Sequence, residues 1–153
     1  MWLNIGSVIF VFIAIGYYVF SDYLPPRTPL KIVRLKSGLK VPKSIQVLDF
    51  EENYSLTGEG YEFVVIKLNK DDVNSIMHEC ICKKYKKLTI DNLVKDGFID
   101  RNPEFGIILP KKDIRSINEG YYQLNVTDLQ QMDFSITILD MDKGELIIYV
   151  SFP

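Results

Sequence analysis

Apolar residues are unevenly distributed along the chain, and their densest run lies at its N-terminal end. Residues 1–20 are mostly apolar, and no charged side chain occurs before Asp22. A helix of about 20 residues rises roughly 30 Å, which matches the hydrocarbon core of a bilayer. Trp2 lies at one end of the run and Tyr17 at the other, where aromatic rings favour the membrane interface. The pattern predicts a transmembrane helix, with residues 1–23 as the anchor.

A cleaved signal peptide is the alternative interpretation of this run. Signal peptides carry a positive n-region, a shorter apolar stretch and a cleavage site of small residues. Here no Lys or Arg precedes the apolar run, and the bulky sequence Tyr17-Tyr18-Val19-Phe20 stands where cleavage would require small side chains. We therefore expect a retained, single-pass anchor in the cell membrane.

The next segment, residues 24–43, combines prolines with basic residues. Pro25, Pro26 and Pro29 oppose continuation of the helix, because proline lacks an amide donor, so we expect a stalk here. Six basic residues and no acidic one occur from Arg27 to Lys43. The positive-inside rule favours a cytoplasmic domain, and leaves the extracytoplasmic side as the alternative.

The basic residues of this segment also predict contact with anionic lipid headgroups, to which each cation near the surface contributes about 1 kcal/mol. A solvated linker is the alternative interpretation of the same residues. The candidates for lipid contact are Arg27, Lys31, Arg34 and Lys36.

Residues 44–153 carry the periodicities of one small α+β domain. Alternating and β-branched runs predict strands, and a 3.6-residue apolar repeat predicts a helix between the second and third of them. The predicted strands are 45–50, 61–68, 121–126, 134–139 and 145–152. The resulting order, β-β-α-β-β-β, indicates an antiparallel sheet with one main helix packed on one face.

The predicted helix has a recognisable start. Asn69 is a favourable N-cap and Asp72 follows three residues later, as in a capping box, while Leu68 and Val73 occupy the positions of a hydrophobic staple. We expect the helix to end near Lys87. Its predicted apolar face contains Val73, Ile76, Met77, Cys80 and Ile81.

Charge changes the functional interpretation of the domain. Residues 44–153 contain 19 acidic and 12 basic side chains, so an acidic body follows a basic segment. Nucleic-acid binding requires a clustered positive face, and the single lysine-rich stretch 83–87 does not provide one. We therefore expect no nucleic-acid partner.

Candidate catalytic chemistry is sparse. His78 and Cys82 stand four residues apart on the predicted helix, but two ligands do not complete a metal site. The stretch 140–145 resembles a calcium loop only in part, because Glu145 stands where the glycine is required. We predict no catalytic, cofactor or metal site, and leave enzyme status open while favouring a non-enzyme.

Acidic residues concentrate around the first predicted hairpin, and we predict a partner-binding site there. Carboxylates in such a position can bind a basic partner or perform acid–base chemistry, and solvated loop residues are the neutral alternative. The cluster comprises Asp49, Glu51, Glu52, Glu59 and Glu62.

These patterns favour a membrane-anchored, non-enzymatic binding or accessory protein whose partner is another protein. An immunity-type inhibitor of a toxin is one specific form of that role. A small metal-dependent hydrolase, using the acidic hairpin cluster with His78, and a structural subunit of a membrane complex are the alternatives.

Overall fold

The computed structural model describes most of the chain. The described residues are 2–19, 28–42, 45–56, 59–99, 109, 112–128 and 133–152, and within the first range the side chains are described for 8–16. Residues 20–27 and 43, which belong to the predicted anchor and stalk, lie outside this set, and so does the predicted lipid contact Arg27.

Among the described residues, a single antiparallel sheet forms the centre of the protein. Its six strands are β1 Gln46–Tyr54, β2 Gly60–Lys67, β3 Lys86–Lys87, β4 Gly120–Asp128, β5 Asp133–Asp140 and β6 Glu145–Phe152. They lie in the spatial order β1-β2-β6-β5-β4-β3. The α+β class is therefore confirmed, with one short strand, β3, that the sequence did not predict. The strand β6 joins the two hairpins, because it pairs with β2 on one side and β5 on the other.

Four helices accompany the sheet in the described residues. They are α1 Trp2–Val19, α2 Pro29–Ser37, α3 Lys70–Cys82 and α4 Ile90–Lys95, and a short 3₁₀ turn follows at Ile114–Ser116. Within the described ranges, no helix combines the length and the hydropathy that crossing a membrane requires.

Both faces of the sheet are covered, whereas the sequence predicted one covered face. On one face α2 and α3 bury a cluster that includes Val33, Ile76 and Ile148. On the other face α4 and the chain around it bury a second cluster that includes Leu93, Phe98 and Phe134. The predicted main helix, α3, is joined by two further packed helices that the prediction of one covered face did not include: α2 beside it, and the six-residue α4 on the other face. Consequently β5 and β6 are buried on both sides.

The helix α2 replaces part of the predicted stalk. The Thr28 side chain caps its first turn by accepting a hydrogen bond from the Lys31 amide, and Pro29 stands where a missing amide donor costs nothing. Ile32 and Val33 are buried in the core. The compact unit therefore extends upstream of residue 44, because the apolar residues between the basic ones face the sheet.

The helix α3 begins as predicted and ends earlier. The Asn69 side chain accepts a hydrogen bond of 2.8 Å from the Asp72 amide, which confirms the cap. The helix ends at Cys82, and Lys84 adopts a left-handed conformation with φ of 60°. That turn buries Tyr85 and leads into β3, so Ile81 is exposed rather than part of the apolar face.

Candidate functional site

The hairpin of β1 and β2 carries the predicted acidic cluster. Tyr54 pairs with Gly60 at its closed end, and the Ser55 amide donates a hydrogen bond of 2.7 Å to the Glu59 carbonyl. At Gly60, where φ is +154°, a Cβ would overlap the Asn53 carbonyl, so only glycine fits this close approach. The turn therefore holds the two acidic strands in a defined register.

The sheet separates the five acidic residues. Glu52 lies opposite Glu62, so their side chains share the face covered by α2 and α3. Asp49 and Glu51 lie opposite Val65 and Phe63, on the other face.

Exposure separates the same five residues further. Glu59 in the turn and Glu52 are exposed, whereas Glu62 is only 1% exposed. The structure therefore does not bring the predicted residues together into one exposed patch.

Two tyrosine hydroxyls donate hydrogen bonds to carboxylates of this cluster. The Tyr54 hydroxyl donates a hydrogen bond to Glu62 Oε1, and the Tyr61 hydroxyl donates one of 2.5 Å to Glu51 Oε1. The hydrogen bond to Glu51 raises the pKa of Tyr61, because it stabilises the protonated hydroxyl. These contacts act on opposite faces of the hairpin and fix its side chains.

The described basic candidates lie on α2. Lys31, Arg34 and Lys36 are all half-buried. Lys36 Nζ lies 5.4 Å from the centroid of the Phe152 ring, a cation–π contact. The Phe152 ring in turn lies 5.8 Å from the ring of Tyr54. An aromatic pair thus connects the basic helix to the acidic hairpin.

Tyr54 and Phe152 belong to this region although the sequence pattern does not predict it. The alternation of β6 does place Phe152 on the same face as Val150, and so contains a signal for one of them. The partner of Phe152 depends on β6 pairing with β2, which no local pattern encodes.

The other candidate residues have structural explanations. His78 and Cys82 are both exposed on α3. Asp140 Oδ1 accepts a hydrogen bond of 2.9 Å from the Lys143 amide, which explains the calcium-like stretch as a hairpin turn. Among the described residues, no three of the side chains that commonly bind metals are placed to share an ion.

Comparison with known proteins adds no relative to this description. No family model, no curated protein and no solved structure matches the chain.

Proposed function

We propose that the protein is a membrane-anchored, non-enzymatic binding module, with its N-terminal apolar segment as the single-pass anchor. The observation that supports this most directly is the exposure of α1. Every residue from Val8 to Ile15 is exposed, and all are apolar, with Phe10 at 72% and Phe12 at 70%. Large apolar side chains on all sides of one helix are unfavourable in water and favourable in lipid.

The basic helix supports an arrangement at the lipid surface. In this proposal Lys31, Arg34 and Lys36 contact anionic headgroups from α2, which begins shortly after the anchor, at Pro29. The same cations favour a cytoplasmic domain. A reporter fused after Phe152, active on one side of the membrane only, tests the orientation, and activity on the outer side would contradict it.

The hairpin supports binding rather than catalysis as the role of the domain. Glu51 and Glu62 are engaged by tyrosine hydroxyls, an arrangement that holds carboxylates in place. The strand β1 carries exposed apolar residues beside its acidic ones, as interaction surfaces do. An immunity-type inhibitor is one specific form of this role.

Membrane fractionation of cells that express the full chain tests the anchor. We expect wild-type protein to stay in the membrane fraction after alkaline carbonate extraction. In the variant Phe12→Lys/Ile13→Lys, two cations near the helix centre each oppose insertion by about 3 kcal/mol, so the protein should move to the supernatant.

The matched control, Phe12→Leu/Ile13→Leu, keeps the helix apolar, so it should remain in the membrane fraction as the wild type does. Wild-type protein in the supernatant, or equal partitioning of the lysine variant and the control, would overturn the anchor.

Crosslinking in native membranes followed by mass spectrometry tests the binding role. We expect a protein partner to crosslink reproducibly to the hairpin. A stoichiometric bound metal, together with an activity lost in His78→Ala, would favour the hydrolase instead.

A further inference from the structure

We propose that the outer edge of β1 binds an extended peptide segment of a partner protein, in which basic and apolar residues alternate. The segment would add a seventh strand to the sheet. This inference rests on the binding role proposed above and names the chemistry of the partner. It combines three observations: the position of β1, the direction of its backbone groups and the alternation of its side chains.

The first observation is that β1 forms an edge of the sheet and contains no buried residue. Among the described strands its single neighbour is β2. Five consecutive residues of β2 from Glu62 to Ile66 are buried, whereas the nine described residues of β1 include none that is buried. An edge strand with exposed side chains is the geometry that strand addition requires.

The second observation concerns the backbone groups of β1. The hydrogen bond between Ser55 and Glu59 identifies that pair as a bonded one, and bonded and non-bonded pairs alternate along an antiparallel ladder. The pairs of Phe50 with Val64 and of Glu52 with Glu62 are consequently non-bonded. The amide and carbonyl groups of Phe50 and Glu52 therefore point away from β2, towards an added strand.

The third observation is the alternation of side chains, which defines the peptide. In the part from Asp49 onwards, β1 presents Phe50, Glu52 and Tyr54 on one face and Asp49 and Glu51 on the other. Directly opposed side chains of neighbouring strands lie about 5 Å apart and interact. A peptide that fits would place apolar residues beside Phe50 and Tyr54 on the first face and lysine or arginine on the second.

The same charges disfavour a second copy of this chain as the occupant. Between Gln46 and Tyr54 there are three acidic residues and no basic one, so two β1 strands in antiparallel register would bring like charges together. A register irregularity between Val47 and Asp49 also bends the edge, which limits pairing to the part from Asp49 onwards. A basic strand is attracted where an identical strand is repelled.

Fluorescence anisotropy tests the proposal on the full chain in nanodiscs of neutral phosphatidylcholine. The probe is a labelled decapeptide of alternating lysine and valine. One control peptide alternates glutamate with valine, and a second places five lysines before five valines. We expect the alternating basic probe to bind at least about tenfold more tightly than either control.

Two variants at one position separate backbone pairing from charge. Glu52→Pro removes the outward amide and leaves the bonds to β2 intact, a position where edge strands tolerate proline. We expect it to weaken probe binding about tenfold, and the matched control Glu52→Ala about threefold or less. Hydrogen exchange on wild-type protein provides a measurement without variants, since the probe should protect the amides of Phe50 and Glu52.

Three results would each overturn the proposal. The first is equal affinity of the probe for Glu52→Pro and Glu52→Ala, and the second is a lack of protection of the Phe50 and Glu52 amides by the probe. The third is equal affinity of wild-type protein for the acidic control peptide and the basic probe. A concentration-dependent dimer that Glu52→Pro abolishes would overturn the proposal in favour of a second copy. If a partner crosslinks in native membranes and Glu52→Pro does not reduce that crosslinking, the protein binds a partner but not through the edge of β1. If fractionation contradicts the membrane anchor and the probe still binds as expected, the β1 edge is a binding site in a protein that is not membrane-anchored.

Discussion

The Tyr122 hydroxyl donates a hydrogen bond of 2.7 Å to Asp96 Oδ2, and so joins the central sheet to the end of α4. Tyr122 is fully buried, and Lys86 Nζ donates to the same carboxylate at 2.6 Å and 2.7 Å. The contact involves β3, β4 and the second layer at once. It is therefore a polar connection between the sheet and the second layer.

We predict that Tyr122→Phe lowers the free energy of unfolding by about 1–3 kcal/mol, because it removes a hydrogen bond to a charged group. Urea denaturation measures this loss. The matched control is Tyr121→Phe, the neighbouring tyrosine of β4 that packs towards the opposite cluster. An equal effect of the two substitutions would contradict the role of the Asp96 contact.

The same carboxylate predicts an acid-dependent stability. The hydrogen bond from Lys86 lowers the pKa of Asp96, with a smaller contribution from Tyr122. Since the folded pKa lies below the unfolded one, the stabilisation is present above about pH 4 and is lost as the pH falls further. Unfolding curves between pH 3 and pH 7 should show a weaker pH dependence in Asp96→Asn than in wild type. Parallel curves would contradict this.

The packing of α2 predicts a contrast between two of its residues. Ile32 is 3% exposed and Leu35 is 37% exposed. We expect Ile32→Ala to cost about 2–5 kcal/mol, because it creates a cavity in the core, and Leu35→Ala to cost clearly less. Thermal unfolding of both variants measures the difference. If both substitutions cost little stability and about the same amount, the segment does not pack on the sheet and is the stalk that the sequence predicts.

The two cysteines predict a selective labelling pattern. Cys80 is buried, and burial raises its pKa to about 12, so at pH 8 about one molecule in 10⁴ carries the thiolate that reacts. Cys82 is exposed. Iodoacetamide should therefore label Cys82 alone in native protein and both residues in urea.

Mass spectrometry of the labelled peptides identifies the site, and Cys82→Ser provides the control, which should remain unlabelled until unfolding. The raised pKa of Cys80 also means that its contribution to stability is complete below about pH 8.5 and is lost towards pH 12. Rapid native labelling of Cys80 at pH 8 would contradict the burial.

Local signals predicted the elements that local interactions determine. The cap at Asn69, the first hairpin and the hairpin of β5 and β6 all follow from neighbours in the sequence, and the structure contains each of them. The strand β3 was missed because two lysines carry no β signal. It forms because the turn at Lys84 directs the chain towards Tyr121 and Tyr122.

The differences between the sequence patterns and the structure at α2 and at the hairpin have a common physical origin. The basic residues around Ile32 and Val33 concealed their apolar role, because their burial depends on a sheet whose first strand begins downstream at Gln46. Likewise Glu62 appears as one more surface acid in the sequence. Its burial follows from Tyr54 and from the pairing of β2 with β6, which are contacts between distant parts of the chain.

The position of β6 affects how the protein folds during its synthesis on the ribosome. Phe63 pairs with Tyr149, and β6 is the strand that pairs with both β2 and β5, so the sheet becomes continuous only after that segment has been synthesised. Such long-range pairing is slow because a large loop must close first. The nascent chain therefore exposes the inner edge of β2 until β6 has been synthesised, and during that time this edge is a site that chaperones would bind.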